Sequence, residues 1–257
     1  MLTQKAMWVA AGAVAIVAQI AMAEPTEIVV RVISKDAKFV GTETGGAKIV
    51  LRDVESGKIL AQGVTAGATG NTPRIMTDPH TRAGVLSDES SAKFSATIDI
   101  DRPRLISATA TGPMSSQDRA ITVSSTQWVV PGKPVNGGDA WVLELPGFII
   151  DLEEALPATI RLSGSSQKLS LRAKITMQCG CPITPGGLWD ANKLDIGVIL
   201  RRGNKILPTV TLAYAGKPST FSGEIEITQP GDYVVDLYAY APWNGNTGVR
   251  RLSFRAR

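Results

Sequence analysis

The sequence contains a single histidine, His80, and two cysteines, Cys179 and Cys181, among its 257 residues. A Ser-His-Asp triad or a Cys-His dyad would have to use His80, which lies in the polar stretch 77–82, a composition typical of a loop. There is no nucleophile-elbow or paired-histidine metalloprotease motif, and no pair of acidic residues stands out by its spacing. We therefore predict that the protein is not an enzyme.

The excess of one sign of charge over the other is also small. The chain has 27 Lys and Arg against 23 Asp and Glu, which gives a formal net charge of +4 at pH 7. Nucleic-acid binding requires a concentrated basic face. The arginines between 250 and 257 fall mostly on alternating positions, which is typical of solvated charges on an edge strand. We therefore expect no nucleic-acid partner.

Long apolar runs are missing after residue 23, but one lies before it. Lys5 precedes the mostly apolar segment 6–20, and Ala21-Met22-Ala23 follows. A positive start, an apolar middle and a small-x-small site form the order of a cleaved signal peptide. A membrane anchor needs a longer run of about 20 apolar residues, and a lipobox cysteine is absent. We predict a signal peptide over 1–23, a periplasmic or secreted protein, and no transmembrane segment after cleavage.

Helical periodicity is nearly absent after residue 23, whereas period-two alternation broken by Gly, Pro, Asn and Ser clusters recurs along the chain. This pattern is typical of an all-β sandwich. In the segment 94–100, alternation places Phe94, Ala96, Ile98 and Ile100 on one inward face. Further strands are predicted at 28–33, 47–53, 59–61, 105–111, 121–130 and 141–145, with Trp128 and Trp141 in the core.

The chain is long enough for two ordinary domains. Acidic residues and a proline interrupt the alternation between 151 and 157, and a new series of strands follows. We predict two tandem β-sandwich domains of immunoglobulin-like type, over 24–152 and 153–257. The stretch 64–91 is rich in Gly, Thr, Asp and Ser. It is predicted to be a long loop, either functional or an ordered surface loop without a task.

Two parts of the chain resemble known sandwich families. The segment 170–176, the Gly231-Asp232-Tyr233 strand start and the Gly245-Asn246-Thr247-Gly248 turn resemble bacterial extracellular immunoglobulin-like domains, over residues 158–257. The resemblance implies the fold and is silent on function. It places Tyr233 at a tyrosine corner, with its hydroxyl bonded back to the chain. Residues 46–65 resemble transthyretin-like or carboxypeptidase-regulatory-like sandwiches, which implies a sandwich for the N-terminal half as well.

The most reactive side chains are concentrated at 177–181. Met177, Cys179 and Cys181 share one face if the strand before them stays extended. Several interpretations of the cysteines are open. They form a local disulfide, for which Gly180 must bend the chain, or they bind Cu(I) together with the Met177 thioether. Alternatively they exchange disulfides through a thiolate, or remain two free, buried thiols.

In an immunoglobulin-like order, the loop after the second strand and the loop before the last strand lie at the same end of the sandwich. This topology predicts that Trp189 and Asp190 share a ligand- or partner-binding rim with Trp243, Asn244 and Asn246. Both tryptophans are expected to be exposed at loop tips, where aromatic side chains are good anchors.

The function predicted from these observations is that of an exported, non-catalytic binding or accessory protein that uses this loop end and needs no cofactor. The partner is left open, as a protein or a small molecule. One alternative is a periplasmic copper(I)-handling protein that uses Met177, Cys179 and Cys181. The other is a structural or adhesive surface module.

Overall fold

The structure, a computed structural model, describes residues 22–257. The predicted signal peptide lies outside the described residues except for Met22 and Ala23, so export stays a prediction. Strands dominate the described part of the chain, which confirms the all-β fold class. Its helical segments are short turns at Thr42–Thr44, Pro73–Thr77, Met114–Arg119 and Ala191–Lys193. None of these turns between residues 22 and 257 has the length or apolar character that a bilayer crossing needs.

The first seven strands form two sheets that pack face to face, which we call the first sheet pair. One sheet has the order β4-β1-β7 and the other β3-β2-β5-β6. Alternate residues of both sheets point inward and share one buried apolar cluster. The strands are β1 (Glu24–Ser34), β2 (Lys48–Asp53), β3 (Ile59–Val64), β4 (Phe94–Ile100), β5 (Arg104–Gly112), β6 (Ile121–Val129) and β7 (Trp141–Leu145).

The remaining strands form the second sheet pair, with its own buried apolar cluster. Its sheets have the orders β14-β15-β10-β8 and β12-β11-β16-β17-β9, with β13 also on β11. The strands are β8 (Phe148–Leu152), β9 (Thr159–Ile160), β10 (Gln167–Met177), β11 (Asp195–Arg202), β12 (Lys205–Ile206), β13 (Val210–Thr211), β14 (Ala213–Tyr214), β15 (Thr220–Ile227), β16 (Gly231–Ala241) and β17 (Asn246–Ala256). Strand β8 pairs with β10, although the predicted domain division at 152 assigns it to the N-terminal half.

Alternation predicts most of the buried positions but misplaces one tryptophan. Ile98 and Ile100 are buried, Phe94 and Ala96 are half-buried, and Trp141 lies in the core as predicted. Trp128 is 67 % exposed, so its predicted burial is wrong. The inward positions of β6 are the odd-numbered ones that end at the buried Val129. Because side chains alternate along a strand, Trp128 falls on the outer face.

The predicted tyrosine corner is present at the start of β16. Tyr233 is only 2 % exposed, and its hydroxyl donates a 2.8 Å hydrogen bond to the carbonyl of Gln229. Its ring stacks on Phe254 of β17 with the ring centres 5.1 Å apart. The bond satisfies a buried hydroxyl and fixes the chain at the entry to the strand.

The long loop between β3 and β4 is held at several points against the first sheet pair. The buried Arg31 guanidinium donates to the carbonyls of Ser91 and Ala92 at 2.6 and 3.0 Å. Ile75, in the short helical turn of the loop, packs with Phe39 and Ala92 in a small apolar cluster. A loop with a buried cation and its own apolar contacts is part of the folded structure.

Candidate functional site

The chain turns back on itself where β10 ends. The extended strand stops at Met177, and the backbone N–H of Gly180 donates to the Met177 carbonyl at 2.8 Å. Gly180 has a φ of 81°, which a residue with a Cβ adopts only with strain. The predicted bend at Gly180 is therefore present. The alternation of side chains along β10 ends at Met177 and does not continue to Cys181.

Cys179 and Cys181 lie at disulfide-bond distance across this turn, with their Cα atoms 5.4 Å apart, as the first interpretation predicted. The two cysteines and Met177 are all buried in the core of the second sheet pair. A disulfide has no thiolate to offer a metal ion. In the part of the chain that the structure describes, no group of three or more His, Cys, Asp and Glu side chains is placed to hold one. The copper(I) hypothesis therefore requires the reduced form and stays a prediction.

Trp189 is buried rather than exposed at a loop tip. Only 7 % of its surface is accessible, and its indole Nε1 donates a 2.8 Å hydrogen bond to the backbone carbonyl of Asp36. The loop folds back on itself through a bridge between Thr184 and Asp190. This brings the indole against the turn after β1, and Ala37 of that turn joins the second core. The predicted exposure of Trp189 is wrong because a turn of the first sheet pair covers it.

Asp190 organises its own loop. Its Oδ1 accepts hydrogen bonds from the backbone N–H groups of Gly186 at 2.8 Å and Asn192 at 3.0 Å. These two bonds hold the pKa of the carboxyl below its ordinary value, against the smaller opposing effect of desolvation. The ammonium of Lys193 lies 3.9 Å from the other carboxylate oxygen. Asp190 is therefore a fixed negative charge at the loop surface.

Trp243 and Asn244 lie in the turn between β16 and β17 and reach the same aspartate. The indole Nε1 of Trp243 donates to Asp36 Oδ2 at 2.8 Å, and the Asn244 side-chain amide donates to that oxygen at 3.0 Å. Trp243 remains 50 % exposed. The two tryptophans thus converge on Asp36, one through its carbonyl and the other through its carboxylate.

Asn246 faces the connection between the sheet pairs and is only 1 % exposed. Its Oδ1 accepts from the backbone N–H of Gly147 at 2.6 Å, and its Nδ2 donates to the Gly147 carbonyl at 3.2 Å. Gln178 donates to the Pro146 carbonyl at 3.1 Å. Because Asn246 is buried with both side-chain polar atoms in use, its position favours a structural role over the predicted contact with a partner.

The accessible part of the predicted rim lies in a groove of about 380 Å³. Leu188 is 53 % exposed beside Trp243. We call this feature the Trp243 groove, and it is lined by Asp36, Met76, Leu188, Asp190, Lys193 and Trp243. Sequence reasoning found Asp190 and Trp243 but missed the other four. Asp36 and Met76 come from loops of the N-terminal half, and no local pattern links them to the C-terminal loops.

No family model and no curated protein matches the chain. Among solved structures, the chain is similar to the fibronectin(III)-like modules of CbhA from Clostridium thermocellum, with 10 % identity over 90 % of this chain and 92 % of that one, at a TM-score of 0.26. It is also similar to a DUF3823 family protein from Bacteroides uniformis, with 10 % identity over 90 % of this chain and 99 % of that one, at a TM-score of 0.29.

Proposed function

We propose that the protein is an exported, non-catalytic binding protein that receives an apolar side chain of a peptide or protein partner in the Trp243 groove. One observation carries the proposal. Trp243 is half-exposed, yet its indole is fixed by a hydrogen bond to Asp36, and it stands beside the exposed Leu188. The export part of the proposal is supported by the signal peptide that the sequence predicts over 1–23.

The fixed indole supports the proposal because ordering a side chain opposes binding. An immobilised side chain costs about 0.5–1.5 kcal/mol when it is ordered on association. Asp36 already holds Trp243 in one orientation before any partner arrives. Tryptophan is enriched among the few residues that carry most of the energy of an interface, so a pre-ordered, accessible indole is a suitable anchor.

The surroundings of the indole support the same conclusion. Met76 and Leu188 supply apolar walls, while Asp190 and Lys193 place charges at the groove. An apolar centre with a polar rim is the usual arrangement of a contact site. The walls come from loops of both sheet pairs, and ligand sites often occur where two such units meet.

Peptides selected for binding test the proposal. A displayed peptide library is panned on the purified protein, and the affinity of selected peptides is measured by calorimetry for the wild type and for Trp243→Ala. We expect a loss of at least about 30-fold, as for an interface hot spot. Trp243→Phe keeps the aromatic ring but loses the bond to Asp36, so an intermediate loss is expected.

Trp128→Ala is the matched control, because it removes an exposed tryptophan on a sheet face outside the groove. Its peptide affinity should equal that of the wild type. Equal binding by Trp243→Ala and the wild type would contradict the proposal. A Trp243→Ala variant that changes only stability would instead favour a structural module.

A further inference from the structure

The outer face of β5 and β6 carries rows of hydroxyl groups. The register of the two strands places three hydroxyl residues of β5 directly opposite three of β6. Strand β6 is the edge strand of its sheet, and its three residues are exposed. We call this surface the hydroxyl face, which consists of Ser107, Thr109, Thr111, Thr122, Ser124 and Thr126.

Most of these hydroxyl groups are free to bond to a ligand. Thr111 and Thr122 share a hydrogen bond of 2.8 Å. The other four hydroxyls make no side-chain hydrogen bond to any residue within 22–257. Facing residues on adjacent strands lie about 5 Å apart, and alternate residues of one strand about 7 Å apart. The face therefore offers a flat grid of groups that both donate and accept hydrogen bonds.

Trp128 continues this face at one end. It follows Thr126 by two positions on β6 and stands opposite Leu105 of β5. It is 67 % exposed, and its Nε1 makes no hydrogen bond in the described part of the chain. A single exposed tryptophan does not by itself indicate a function. Here its flat aromatic ring adjoins a flat surface of hydroxyl groups, most of which have no hydrogen-bond partner in the described part of the chain.

The chemistry of the face selects one kind of occupant. The hydroxyl face and the adjoining Trp128 and Leu105 contain no charged residue. The exposed cations Lys48 and Arg52 border the face on β2, opposite Thr111 and Ser107. A protein interface places its aromatic anchor near the centre of an apolar patch, whereas Trp128 lies at the end of a polar one. Pyranose rings match both parts, since their C–H faces pack on the negative face of an indole and their hydroxyls pair with Ser and Thr.

We infer that the hydroxyl face, with Trp128, binds a polysaccharide built of flat, β-1,4-linked pyranose rings. Linked in this way, the rings form an extended ribbon that stacks one ring on Trp128 while its neighbours lie along β5 and β6. This inference is independent of the Trp243 groove and of the function proposed for it.

The test uses microcrystalline cellulose and α-chitin as probes, with cross-linked dextran beads as the α-linked control. Depletion of the purified protein from solution gives a binding isotherm for each solid. We expect retention on cellulose or chitin, none on dextran, and a loss of at least about 30-fold in Trp128→Ala. The double variant Thr126→Val and Ser124→Ala removes two hydroxyls at little change in shape. It is expected to bind about 3- to 30-fold more weakly.

Trp243→Ala is the matched control and should bind the polysaccharide as the wild type does. Melting temperatures within about 2 °C of the wild type show that the variants at exposed positions are folded. The inference is overturned if the wild type binds neither polysaccharide, or if Trp128→Ala binds as well as the wild type. It is also overturned if Trp128→Ala only abolishes self-association in sedimentation, since a second copy of the chain would then cover the face.

Discussion

Asp36 connects the two sheet pairs, and its replacement measures how strongly they are held together. Its backbone carbonyl accepts from Trp189, and its carboxylate accepts from Trp243 and Asn244. Asp36 also has a φ of 54°, in the left-handed region that Asp and Asn tolerate better than Ala does. The substitution Asp36→Ala therefore removes two side-chain hydrogen bonds and places Ala in an unfavourable backbone conformation.

The magnitude follows from these two effects. The Asp36 side chain is exposed, so water replaces part of each lost bond, and each contributes about 0.5–1 kcal/mol. A left-handed conformation costs Ala about 1–2 kcal/mol. We therefore expect Asp36→Ala to lower the free energy of unfolding by about 2–4 kcal/mol, which corresponds to a fall of about 4–16 °C in Tm.

Two further substitutions separate the effects. Asp36→Gly loses both side-chain bonds but adopts the backbone conformation freely, so a loss of about 1–2 kcal/mol is expected. Asp36→Asn keeps an acceptor oxygen and a tolerated conformation, and should lose about 0.5 kcal/mol. Urea unfolding followed by tryptophan fluorescence measures the series. An equal loss in all three variants, or a loss below about 0.5 kcal/mol in Asp36→Ala, would refute the reasoning.

Two other predictions concern the second sheet pair. Replacing Cys179 and Cys181 by Ala removes a disulfide between residues only two positions apart. Because so small a loop gives little entropic stabilisation, urea unfolding should show a loss of about 1–2 kcal/mol in the free energy of unfolding. A loss above about 4 kcal/mol would contradict this account. For Asp236, burial raises the pKa, but hydrogen bonds and charge from Arg251 and Arg201 outweigh it, so the pKa lies below its ordinary value. A carboxyl with a depressed pKa in the folded state contributes stability above its unfolded pKa of about 3.9, and this is lost as the pH falls through the folded pKa. Asp236→Asn should therefore destabilise the protein more at pH 7 than at pH 3 in urea titrations, and an equal effect at both pH values would contradict the ion pairing.

The strands could be predicted wherever one face is apolar and the other polar. The segments 94–100 and 141–145 alternate in this way, and the structure begins and ends β4 and β7 at those residues. Strand β6 carries Ser and Thr on both faces, so its composition gave no sign of which side Trp128 takes. Burial of a tryptophan is a sound expectation only when the neighbouring residues define the inward face.

The candidate site could be predicted only where it depends on local geometry. The disulfide and the bend at Gly180 are local, and so is the return of Tyr233 to Gln229. The bonds from Trp189 and Trp243 to Asp36 span 153 and 207 positions of the sequence. No periodicity within a strand encodes such a pairing, and for this reason the burial of Trp189 was missed.

Asn246 makes two hydrogen bonds to Gly147, one with its N–H and one with its carbonyl, and we call this pair of bonds the bracket. The bracket bears on the order in which the molecule folds. The first sheet pair draws all its described strands from residues before 146, so its pairing does not wait for the turn at 242–245. The bracket spans 99 positions, and it cannot close before that turn exists. We therefore expect docking of the halves to be the last step of folding, because contacts between distant residues form slowly. A substitution in the turn, which joins β16 to β17, should delay the second sheet pair and the final orientation while the first sheet pair forms at its usual rate.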